Sequence, residues 1–125
     1  MLKAIIILIL VALLAPIKAL NANEQPPQGS KDASCLYADN SPEFCKIKID
    51  FARKKVSIWE PANRASASTT TYSGKCLKKG CILIGPDLGY PTREKLRIES
   101  ISNRYISLKV LDSGLTLHVR ITEYN

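Results

Sequence analysis

The chain carries 125 residues, four cysteines and a formal net charge of +7. This length excludes several sizeable domains but leaves enough chain for a real core. The positive balance favours acidic partners such as nucleic acid, anionic lipid or glycan, or an acidic protein surface, without defining a site.

The start, Met1-Leu2-Lys3, runs into an apolar block from Ala4 to Ala15 that Pro16 closes. A cationic start, a short apolar core and small residues beyond it are the pattern of a secretory signal peptide. The block falls short of the roughly 20 apolar residues of a membrane span. We read residues 1–22 as a signal peptide, cut after Ala22 or Ala19; the alternative is an uncleaved anchor beside Lys18. After cleavage no stable membrane span is expected, and the protein is expected to be secreted or periplasmic. Loss of Lys3 and Lys18, with no acid, lowers the net charge from +7 to +5. Residues 23–33 (NEQPPQGSKDA) are polar and contain Pro26, Pro27 and Gly29, so they read as a disordered leader. A single β domain is expected over 34–125.

Cys35, Cys45, Cys76 and Cys81 all follow the leader. An even count in a short exported chain indicates two disulfides, and four cysteines allow three connectivities. The local pairing, Cys35 with Cys45 and Cys76 with Cys81, is the expectation, although spacing alone leaves the other pairings open. In Cys76-Leu77-Lys78-Lys79-Gly80-Cys81 a turn with glycine brings two strand ends together. Zinc is disfavoured, because the gap between Cys35 and Cys45 exceeds the usual two to four residues.

Along the domain the period is two. Cys45, Ile47, Ile49 and Phe51 face one way, with Lys46, Lys48 and Asp50 opposite. The chain turns over Ala52-Arg53-Lys54. It then returns with Val56 and Ile58 inward and Trp59 outward, until Pro61 ends the strand. Residues 61–67 are a loop, while 68–73 (STTTYS) and 81–84 (CILI) read as strands. Between Gly85 and Thr92 lies GPDLGYPT, whose glycines and prolines mark an ordered loop. Leu96 and Ile98 share a face, and Ser102-Asn103 turns. Ile106, Leu108 and Val110 then alternate with Tyr105, Ser107 and Lys109. After Asp112-Ser113-Gly114, Leu115, Leu117, Val119 and Ile121 alternate with Thr116, His118, Arg120 and Thr122. No helical period appears after the signal peptide. The fold class is therefore all-β: a small antiparallel β-barrel or β-sandwich of about seven strands, stapled by two disulfides.

No catalytic constellation, metal spacing or cofactor motif emerges. The chain has no G-x-S-x-G, and Ser73-Gly74-Lys75 lacks the glycine spacing of a P-loop. The single histidine, His118, would need Glu99 as partner and Arg97 or Arg120 for developing charge to act as a nuclease or hydrolase centre. Two binding readings are simpler. In the first, Trp59, Arg64, Tyr90 and Arg93, on or beside the 60–68 and 85–93 loops, engage a protein partner, as an inhibitor, immunity factor or secreted effector does. In the second, Lys46, Lys48, Arg97, Lys109, His118 and Arg120 form a basic sheet face for a polyanion, with Tyr105 available for stacking. Asp50 and Glu99 interrupt that stripe.

Overall fold

A computed structural model describes residues 25–38, 41–61 and 68–123. The signal-peptide stretch 1–22 and the position of Arg64 lie outside these residues. Among the described residues eight strands follow in chain order: β1 (Lys31–Tyr37), β2 (Glu43–Asp50), β3 (Lys55–Glu60), β4 (Ser68–Gly74), β5 (Ile82–Ile84), β6 (Lys95–Ile101), β7 (Tyr105–Val110) and β8 (Thr116–Ile121). Each pairs antiparallel with the next, and β1 pairs with β8, so the sheet closes into a barrel with no sandwich layering. Closure gives β1 and β8 a partner on both sides, so neither is left as the edge strand of an open sheet.

The alternating apolar residues fill the lumen. Ile47, Val56, Ile58, Leu83, Leu96, Ile98, Ile106, Leu108, Leu117 and Val119 are buried together. Each contributes about 1.5–3 kcal/mol through removal of apolar surface from water. The eighth strand, β1, is the one the alternation does not reveal, and it corrects the leader boundary. Lys31, Asp32 and Ala33 pair with Ile47, Lys46 and Cys45, and Ala33 is only 2% exposed. Polar composition hid this segment. Its inward positions are Ala33, Cys35 and Tyr37, and the rest face out or are laterally hydrogen-bonded between β2 and β8.

Two disulfides staple the barrel. Cys35–Cys45 joins β1 to β2 with Cα atoms 5.9 Å apart, and Cys76–Cys81 closes the β4–β5 connection at 5.8 Å. Both are consistent with an oxidising compartment, extracellular or periplasmic.

Two further details depart from simple alternation. Phe51, expected inward, is 55% exposed. The Asp50 carboxylate accepts the Arg53 N–H at 2.9 Å, and Lys54 takes φ 58, so the chain leaves the pleat at Phe51. In β6 the register shifts between Ile98 and Ser100, and Glu99 is the extra residue of a β-bulge. The bulge restores Ile101 to the inner side, opposite Ile106.

Candidate functional site

Strand β5 is three residues long because Gly85-Pro86 follows it, and proline has no N–H for a ladder. Its partner β4 is longer. β4 pairs with β3 from Ser68 to Ser73, but with β5 only at Ser73↔Ile84 and Gly74↔Leu83. Gly74 allows the close approach there. A Cβ at that position would lie 2.7 Å from Leu83 Cδ2 and 2.8 Å from the Ile82 carbonyl oxygen.

Where that short pairing stops, the wall opens into a groove of about 960 Å³. One side is β4 from Ser68 to Tyr72, and the other is the chain from Pro86 to Glu94, with Val110 and Asp112 at the margin. The facing loop has a closed neck. The Gly85 N–H donates to the Glu94 carbonyl at 2.7 Å, and Arg93 Nε donates to the Gly85 carbonyl at 2.9 Å. Within it the Gly89 N–H donates to Asp87 Oδ1 at 3.0 Å, and Gly89 takes φ +84, which a side chain would oppose. This bracing holds Leu88 and Tyr90 at the groove while leaving them 70% and 71% exposed.

Tyr72 spans the opening from inside. Its ring packs against Gly85, and its hydroxyl donates to Glu94 Oε1 at 3.0 Å. Burial pushes the Tyr72 phenol well above its ordinary value of 10.0, and the Glu94 carboxylate adds to the rise. At the same end of the lumen the Tyr37 hydroxyl donates to Glu60, beside a small cavity of about 80 Å³.

Of the four residues expected to engage a protein, Tyr90 and Arg93 line this groove. Trp59 lies one strand away on the outer face of β3, opposite Lys46 and Thr69, with its ring edge-on to Phe44 at 6.4 Å between centroids. Arg64 falls outside the described residues. Leu88, Tyr72, Glu94 and Asp112 also line the groove, and none of them belongs to a motif in the sequence. The available signal was a mismatch of lengths, with the six-residue run 68–73 set against a short apolar run ended by Gly85-Pro86.

The polyanion candidates share one wall, because β6, β7, β8, β1 and β2 are consecutive neighbours. Along it Arg97 stands opposite Lys109, and Arg120 opposite Tyr105. Acids take up part of the charge: Lys46 pairs with Asp32 at 2.8 Å and Arg97 with Glu99 at 2.9 Å. Lys48 lies further along β2, opposite Ser57. The partners of His118 are hydroxyls. Its Nδ1 lies 2.6 Å from the Tyr105 hydroxyl and 3.0 Å from the Ser107 hydroxyl. Ser107, on the outer face as expected, is nevertheless only 4% exposed. Among the described residues no group of His, Cys, Asp and Glu side chains is arranged to hold a metal ion. No known protein family, curated protein or solved structure matches this chain.

Proposed function

We propose that this protein is an exported barrel that binds a protein partner through the groove between β4 and the 85–94 loop. The observation that carries the reading is the braced exposure of Leu88 and Tyr90 beside a strand that has lost its neighbour. Large apolar side chains on a rigid loop cost little conformational entropy to immobilise, and aromatic residues at the centre of a patch supply much of the energy of an interface. Export is supported by the signal-like start and by the two disulfides, which persist in oxidising compartments. The role then resembles that of an inhibitor, immunity factor or secreted effector, in which a compact scaffold presents one recognition surface.

The test is affinity capture from the fluid that surrounds the producing cell, with wild type and a Leu88→Ser, Tyr90→Ser double variant. Wild type is expected to retain a partner that the folded variant releases. Equal recovery of the same partner by both proteins overturns the groove assignment.

A further inference from the structure

Strand β4 keeps one edge on β3 along its length and loses the other after two residue pairs. The Gly74 N–H donates to the Lys54 carbonyl at 3.0 Å, on the β3 side. Main-chain groups alternate along a strand, so those of Tyr72, Thr70 and Ser68 also turn to β3. Those of Ser73 turn the other way, to Ile84. The N–H and C=O groups of Thr71 and Thr69 therefore face the groove, where β5 has already ended.

Exposed edges of this kind are usually blunted by lysine, proline or a bulge. Ser68, Thr69, Thr70 and Thr71 include no charged residue and no proline, and their register with β3 is unbroken. β-branched threonines favour the extended backbone. We infer that β4 accepts an extended segment of a partner protein as an added strand, which deepens and rests on the groove reading above. Main-chain hydrogen bonds to Thr69 and Thr71 supply register and affinity, and the loop side of the groove supplies side-chain selectivity.

The groove also states what that segment carries. Leu88 and Tyr90 call for apolar side chains. Glu94 and Asp112 are the acids on the lining, while Arg93 already directs its Nε to the Gly85 carbonyl. The added strand thus alternates apolar residues with at least one basic residue. The run Ser68–Tyr72 spans about 17 Å at roughly 3.4 Å per residue, enough for a strand of four or five residues.

The test is selection of random dodecapeptides displayed on phage against the purified protein, followed by titration of the synthetic peptides recovered. A Thr71→Pro variant deletes one groove-facing N–H that β3 does not use, and Thr71→Val keeps it. Peptides alternating apolar and basic residues are expected to bind wild type and Thr71→Val equally. Binding to Thr71→Pro should be about ten-fold weaker, the size of one hydrogen bond. The same peptides methylated on alternate backbone nitrogens should lose a similar factor against wild type, a measurement that does not depend on the folding of Thr71→Pro. Bound peptide should also slow hydrogen exchange of the Thr69 and Thr71 amides. A selection that yields no peptide, or peptides insensitive to both Thr71→Pro and N-methylation, overturns strand addition. Peptides that need Leu88 and Tyr90 but ignore those changes overturn strand addition alone. Peptides indifferent to Leu88, Tyr90 and Thr71 overturn the groove reading with it.

Discussion

The Tyr72 hydroxyl donates to the Glu94 carboxylate at 3.0 Å, across the opening left where β4 and β5 share only two residue pairs. A side chain thereby takes over part of a closure that main-chain ladders provide around the rest of the wall. The same pair ties β4 to the neck of the loop that carries Leu88 and Tyr90.

Tyr72→Phe keeps the ring against Gly85 and deletes only the hydroxyl. Urea unfolding should show a loss of about 1 kcal/mol, the usual net worth of one hydrogen bond. Phage-selected peptides should also bind more weakly, because the loop side of the groove is less firmly placed. Unchanged stability would show that the bond has no closing role.

The raised Tyr72 pKa makes a pH prediction. The folded phenol keeps its proton above the ordinary value of 10.0, while the unfolded phenol releases it. The native state then binds more protons than the unfolded state, so stability falls as pH rises beyond 10.0. The contribution is fully present below that value. Tyr72→Phe removes it, so the stability gap between wild type and variant should narrow as pH rises from about 10 to about 11. A gap that stays constant over that range contradicts the assignment.

Gly74→Ala places a methyl group 2.7 Å from Leu83 Cδ2 and 2.8 Å from the Ile82 carbonyl oxygen. The leucine can shift, but the strand carbonyl can move only with β5. Overpacking of this kind costs about 1–3 kcal/mol. Thermal unfolding should register it, whereas Gly80→Ala, where a Cβ meets nothing within 4 Å, should pay only for its backbone at φ +91.

The two disulfides should not contribute equally. Cys35–Cys45 spans a separation of 10 residues and Cys76–Cys81 one of 5. Loop entropy alone assigns roughly 3 kcal/mol to the first and roughly 2 kcal/mol to the second. Cys35 and Cys45 are also core residues, whereas Cys76 is only partly buried. Replacing Cys35 and Cys45 together by alanine should therefore lower the denaturation midpoint more than replacing Cys76 and Cys81. Equal or reversed losses would mean that neither loop length nor burial sets the contribution.

Much of the architecture was legible in the chain because alternation over β2, β3, β6, β7 and β8 is a local property, repeated every second residue. The local cysteine pairing was legible in part for the same reason, since a turn with Gly80 brings Cys76 and Cys81 together. β1 was not, because a strand with Ala33, Cys35 and Tyr37 as its inward residues has a weak apolar signal beside polar neighbours. Its existence depends on β2 and β8 already being in place to accept its hydrogen bonds. The bulge at Glu99 was hidden likewise, since register is a relation between two strands.

The candidate site divides along the same line. Tyr90 and Arg93 stood out because glycine and proline mark their loop. Leu88 and Tyr72 did not, because an apolar residue reveals whether it is buried or displayed only once its neighbours are known. An all-β, disulfide-bearing domain follows from local pattern alone, since periodicity and cysteine parity are written along one strand at a time. That the sheet closes on itself, and that β4 outruns β5 to open a groove, emerges in the folded chain. Closure and mismatch are both lateral relations, set by hydrogen bonds between segments far apart in the chain.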